Sequence, residues 1–374
     1  MAVRYIQVQP KSELFSPKVR AFGNIAIVGN APLGETNIPI LFTNPDDAKT
    51  EFSPSNATLP KDQGDLYNAI ERAFLQTPGP SVVYGVRTAA TPNFAESLAT
   101  LSALDVQLVV LANTPLNATN ATGPIAALVK HVTDVSNTGD DGKERMGVVM
   151  LEKGSTNAAL VTGDLANERM VYIAHKSDQD AAAAVAGTIA GYEPHISLLL
   201  KPVHIDSEPF TPAQIEAING TEGFGSPPNG QGVNWLTSPA LIPGRGVYMG
   251  EGYTGNPGGG KKFIDIVRTI DDISFRLKAR LINAIGTLRV SRSGLRSLIA
   301  QMEAVLDPLI SNEVIESYEL VLPLLTLLDK NPDSLTEAQV QQIHDAQVQR
   351  LVQVLVAVEY AGAIHRLDMI LKFV

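Results

Sequence analysis

Apolar and polar positions along this chain change their rhythm several times. In residues 2–9, Tyr5, Ile6 and Val8 stand among polar neighbours and Pro10 follows, which predicts a short strand closed by proline. The polar stretch up to residue 20 reads as an extended arm. From residue 24, short apolar runs at 24–29, 81–86, 106–111, 147–151 and 170–174 alternate with helical periodicity at 66–75, 94–104, 125–135 and 178–189. Continuous apolar runs suit strands buried on both faces. Their alternation with helices predicts an α/β body with a largely parallel sheet. Thr211, Pro212 and Gln214 carry the cap, first-turn proline and capping-box residue of a further helix.

Residues 219–260 are rich in Gly, Pro and Asn around an isolated Trp235, and read as a junction of exposed loops and short strands. Residues 263–267 read as a strand. Beyond them the pattern is helical: Ile270, Ile273, Leu277, Leu281, Ile285 and Leu288 fall on one face. Leu295, Leu298, Met302, Val305 and Leu309 continue on a second helix, predicted to stop around Asp307-Pro308. Pro323 leaves 319–328 open between a strand and a broken helix. Thr336 and Gln339 open a last helix, with Val340, Ile343, Leu351, Val354 and Val358 expected inward. At the end Leu367, Met369, Leu371 and Phe373 alternate with Asp368, Ile370 and Lys372, a strand signature.

These readings define an α/β (α+β), multi-domain chain. It has an N-terminal arm (1–20), an α/β body (21–218), a Gly/Pro-rich junction (219–260), a helix-rich C-terminal α+β domain (261–360) and a terminal strand arm (361–374). Its 374 residues, 44% hydrophobic and 18% charged, suffice for real cores. The formal charge of -10 disfavours direct contact with nucleic acid. The absence of cysteine excludes disulfides, thiolate metal sites and a cysteine nucleophile. No signal peptide and no apolar run long enough to span a bilayer is legible, so no membrane insertion is expected. The triplets at Asn56, Asn117 and Asn120 match the glycosylation pattern and read as polar loops.

Chemical motifs are weak. Residues 255–261 match most of a phosphate-binding loop, but Lys262 stands where a magnesium-binding Ser or Thr belongs. Residues 29–34 follow a strand as a dinucleotide loop would, yet lack the glycine spacing, and Pro32 removes a donor. His131, His175, His195, His204, His344 and His365 show no metal-ligand spacing. The pairs Asp140-Asp141 and Asp271-Asp272 are neighbours in sequence and share no helix face. No catalytic residue, cofactor or metal site is expected.

Residues 263–271 leading into a long amphipathic helix resemble the start of the C-terminal domain of contractile tail sheath proteins. Residues 289–309 resemble its next element, and 361–374 its closing strand. In the front half, 25–34, 38–43, 66–74 and 82–87 resemble the family's opening strand, glycine turn and following elements. Residues 234–252 resemble the stretch before the C-terminal domain. The resemblance implies a non-enzymatic subunit of a homo-oligomer, stacked as hexameric rings around a tail tube protein and joined to baseplate and terminator proteins. It also implies a place in a virion tail or related injection machine, assembled in a host cytoplasm. Terminal arms would add strands to neighbouring subunits through Tyr5, Ile6, Val8, Leu367, Met369, Leu371 and Phe373. Residues 276–296 are basic, and Arg289, Arg292 and Arg296 would contact an acidic tube. The alternatives are an enzyme with an α/β nucleotide domain at 20–175, and a non-contractile tail or tube component.

Overall fold

The computed structural model describes residues 23–89, 91–137, 142–220, 231–244 and 246–365. The strands predicted at 2–9 and 367–373 lie outside them. The chain divides into two compact units. The first is a body that holds residues up to Asp271 together with 362–365, and the second holds 272–361.

The body runs β1 (Ile25–Gly29), β2 (Pro39–Phe42), α1 (Pro45–Phe52), α2 (Pro60–Gln63), α3 (Asp65–Phe74), β3 (Val83–Arg87), α4 (Phe94–Ala99) and β4 (Leu108–Leu111). It continues with α5 (Ala118–Ala121), α6 (Pro124–Asn137), β5 (Met146–Met150), β6 (Met170–Ala174) and α7 (Ala181–Gly191). Then come β7 (Pro202–Val203), α8 (Pro212–Asn219), β8 (Val233–Thr237), β9 (Val247–Met249) and the start of α9 (Ile264–Leu281). One nine-stranded sheet has the order β2-β3-β1-β4-β5-β6-β8-β9-β7. Its centre, from β3 to β8, is parallel, and β2, β9 and β7 join antiparallel at the edges.

The continuous apolar runs have a direct cause in this sheet. Ile25 and Ile27 of β1 pack into one core with α1, α3 and α7, while Ala26 and Val28 pack into the other with α4, α6 and α8. A strand covered on both faces has no polar position to spare. Alanine-rich α7 is buried almost throughout and lies against α3. A Cβ on Gly187 would stand 2.5 Å from the Ala73 carbonyl oxygen, so glycine is what lets these two helices touch. The 219–260 stretch supplies β8 and β9 to the sheet, and Trp235 is buried there at 8% exposure.

The second unit holds the rest of α9, then α10 (Arg292–Ser311), β10 (Ile315–Val321), α11 (Pro323–Asp329), α12 (Glu337–Gln349) and β11 (Leu355–Tyr360). β10 and β11 form a separate antiparallel pair. Tyr318 and Leu320 of β10 cover a small core made by Ile273 and Leu277 of α9 with Leu306 and Leu309 of α10.

Three expectations are corrected. Residues 263–267 are not a strand: α9 begins at Ile264, because Ile264 and Val267, one turn apart, both sink into the body's core. Asp307-Pro308 does not stop α10, which runs to Ser311 with Pro308 inside it; Leu306 and Leu309, on either side of the proline, are buried, and their packing holds the last turn together. The inward helix face drawn through Val340, Ile343, Leu351, Val354 and Val358 holds only at Ile343 and Val354, which pack against the small core of Leu295, Leu322 and Leu324. Arg350 takes a left-handed φ of 54° and ends α12, Val340 and Leu351 are about half exposed, and Val358 belongs to β11.

Candidate assembly surfaces

The strand order places a topological switch point between β1 and β4, the crevice where doubly wound proteins bind nucleotides at helix N-termini. Here the chain fills that crevice with its own carboxylates. Asp65 opens α3 and Asp180 caps α7, accepting from the Ala183 amide at 2.9 Å. Asn113, just past β4 and held at φ 47°, bridges them: its amide donates to Asp180 Oδ2 (2.8 Å) and its Nδ2 to Asp65 Oδ1 (3.0 Å). Burial pushes both carboxyls above their ordinary range, and the Asn113 bonds partly offset this. Two acidic groups occupying two helix N-termini repel a phosphate.

The glycine loops are likewise committed to the fold. At residues 29–34 the Arg87 guanidinium donates to the carbonyls of Ala31 (2.8 Å) and Gly34 (2.6 Å), so a cation fills the turn. The 255–261 loop is stitched at its neck by the Thr254 amide donating to Lys262 O (2.9 Å), and Lys261 pairs with Glu168 at 2.6 Å. No group of three or more His, Asp or Glu among the described residues is placed to hold a metal.

Three of the histidines are held by partners within the body. His131 is buried with its Nε2 3.2 Å from Arg145 Nη1, and burial followed by the Arg145 charge lowers its pKa to about 4. His175 faces the Leu151 carbonyl through Nε2 and the Ser177 amide through Nδ1, which fits a neutral ring. Burial lowers its pKa too. His365, just past β11, returns to the body. Its Nε2 lies 2.8 Å from Ser197 Oγ, its Nδ1 3.1 Å from Glu251 Oε2, and its ring 4.5 Å from that of Phe263.

Of the residues singled out for assembly, Tyr5, Ile6, Val8, Leu367, Met369, Leu371 and Phe373 lie outside the described residues. Arg289, Arg292 and Arg296 are exposed at the start of α10. Arg292 Nε (2.9 Å) and Arg296 Nη2 (3.2 Å) share the single carboxylate of Asp329, and Arg292 also donates to Leu328 O. One acid between two guanidiniums leaves the three arginines a net positive charge.

Sequence reasoning missed the surface with the plainest chemistry. β11 reads Leu-Val-Ala-Val-Glu-Tyr and, among the described residues, pairs on one side only, with Val356 opposite Leu320 and Val358 opposite Tyr318. Val356 and Val358 thus extend the apolar face of the small core, yet stand 36% and 37% exposed, and Leu355 is 63% exposed. No described strand covers the outer edge of β11. A two-stranded sheet is marginal alone, and an open apolar edge attracts another strand. The signal was present as a β-branched run, but it followed a helix without a break in apolar spacing.

No helix among the described residues is long and apolar enough to cross a membrane. No family model matches the chain, and no curated protein does. Solved structures match its fold over nearly the whole length. The helical sheath of the anti-feeding prophage in its contracted state aligns with a TM-score of 0.65 at 14% identity, covering 100% of this chain and 99% of that one. The PVC sheath complex of an extracellular contractile injection system, also contracted, gives 0.64 at 14% identity, covering 100% and 98%. A sheath tail protein from Desulfitobacterium hafniense gives 0.59 at 12%, covering 86% and 93%. The chain has the α/β fold of contractile sheath proteins.

Proposed function

We propose that this chain, folded as contractile sheath proteins are, is a structural subunit of such a sheath. It polymerises as stacked hexameric rings around a tail tube and contracts to drive the tube through a target envelope. The observation that carries the reading is the open apolar edge of β11. Among the described residues this edge is left uncovered in a separate two-stranded sheet; such an edge is built to receive a strand, and the alternating segments at 2–9 and 367–373 are the donors the sequence offers. One added strand contributes modestly. Two arms per subunit act multivalently, so links weak enough to slide remain connected as a lattice.

Arg289, Arg292 and Arg296 are the proposed contact to an acidic tube protein, and baseplate and terminator proteins would close the two ends. The work of contraction comes from rearranged subunit contacts and needs no nucleotide. The carboxylates of Asp65 and Asp180 in the crevice where a nucleotide would bind favour this over the enzyme reading. The machine would be a virion tail or a related injection apparatus, assembled in the cytoplasm of its host. Negative-stain electron microscopy of the purified full chain is the test. Wide, cog-edged tubes are expected; narrow smooth tubes, or monomers at every concentration and salt, would overturn the reading.

A further inference from the structure

We infer that Ser197, Glu251 and Phe263 form a clip for His365, and that the clip fixes on the body the point from which residues 366–374 start. The neighbours of His365 show why a clip, and not general apolar burial, holds it. Gly362 and Ala363 are exposed, and Ile364 is 83% exposed. The chain leaves an isoleucine in water and inserts the next residue, a histidine, whose side chain is 14% exposed. Apolar collapse would have chosen the opposite arrangement.

Each wall of the clip is anchored independently. Ser197, in the loop after α7, accepts from the Leu199 amide at 3.3 Å as well as meeting His365. Glu251, just past β9, is 6% exposed. Phe263 stacks on fully buried Tyr253 with ring centroids 5.5 Å apart. The Tyr253 amide donates to Asn234 Oδ1 in β8 at 2.6 Å, so the floor of the clip is tied to the sheet. Ser197, Glu251 and Phe263 therefore converge on one imidazole and engage both its nitrogens and its ring. The bond to Glu251 is the strong one, being to a carboxylate in a shielded position.

A fixed starting point limits reach. From His365, residue 373 lies no more than about 27 Å away along a fully extended chain. If this segment donates a strand, which rests on the function proposed above, the receiving edge on another copy must lie within that radius. His365 is then a positioning residue: it sets which neighbour can be reached.

The clip is tested on the unassembled full chain by trypsin cleavage after Arg366, followed by mass spectrometry of the released end. Ser197→Ala and Glu251→Ala are distant in sequence from the scissile bond and leave the residues on either side of it unaltered. Each is expected to speed release by about tenfold or more, the scale of one lost hydrogen bond at an opening equilibrium. The double variant should fall short of the product of the two, because both act through His365. Unchanged rates in Ser197→Ala, the milder change, with a native circular dichroism spectrum would overturn the clip whatever the assembly state. Deletion of 366–374 that leaves tubes intact would overturn the strand-donor reading and leave the clip standing.

Discussion

Arg169 and Asp271 meet in a two-bonded pair, Nη1 to Oδ2 at 2.5 Å and Nη2 to Oδ1 at 2.9 Å, with side chains only 13% and 11% exposed. Arg169 immediately precedes β6 and Asp271 lies in α9, so the pair fastens the first turns of that helix to the strand within the body. A guanidinium left without its acid in such a position is costly. Asp271→Ala is expected to destabilise the body by about 3–5 kcal/mol. Replacing both residues by apolar ones of similar size should recover much of this. Urea unfolding of the three proteins checks it; a single variant within about 0.5 kcal/mol of wild type would show that the pair is idle.

His131 makes stability depend on pH in a defined direction. In the folded chain its pKa is lowered to about 4 from 6.5, first by burial and then by Arg145, with Asp134 acting the other way. As pH falls from 6.5 towards 4, the unfolded chain takes up a proton that the folded chain refuses. Stability therefore drops through this window and changes no further, on this account, below it. The loss is roughly 3 kcal/mol at most. His131→Gln should flatten that part of the profile while leaving the contribution of His175. Urea midpoints at pH 7, 5.5 and 4.5 in both proteins are the measurement, and parallel profiles would refute the assignment.

Arg292 and Arg296 compete for one partner, and this shapes what their replacement does. Reversing both to Glu would place three acids together at Asp329. A modest loss of stability is expected, since exposed pairs are worth about 0–1 kcal/mol each. The larger expected effect is on tube-templated assembly, which should weaken and lose its salt dependence. Replacing both by Gln isolates the charge from the repulsion. Assembly rates on a tube template that match wild type in the Gln variant would remove these residues from the tube interface.

Much of the body was legible because its signals are local or continuous. The apolar run at 170–174 is the strand itself, since a centre strand buried on both faces needs no other pattern. Thr211 and Thr336 form the capping boxes their spacing announces, each threonine accepting from the amide three residues on. What escaped depends on topology. Asp65, Asn113 and Asp180 meet only because β1 and β4 are adjacent and two helices start beside them; nothing within 48 residues of sequence signals it. His365 was read as one scattered histidine, although 234–252 and 361–374, two of the family-like segments, meet at its bond to Glu251. At 340–358 a run of apolar residues kept a helical spacing across a turn, and periodicity cannot see the left-handed Arg350 that divides helix from strand.

Val356 and Val358 offer the sharpest test of how copies join. They face the same side as Leu320 and Tyr318, and in the single chain they stand more than a third exposed. A lysine at either place can carry its charge to water along a flexible stem, so folding should lose less than about 1 kcal/mol. A strand laid beside β11 would instead have to bury that charge, a standard means of keeping sheet edges apart. Val356→Lys and Val358→Lys are therefore expected to leave circular dichroism and melting nearly unaltered while sedimentation shifts from assemblies to monomers. Val358→Thr, β-branched and uncharged, should retain most assembly. Tubes formed by both lysine variants at wild-type concentration would mean that the edge of β11 stays open in the assembled state, and that copies are joined elsewhere.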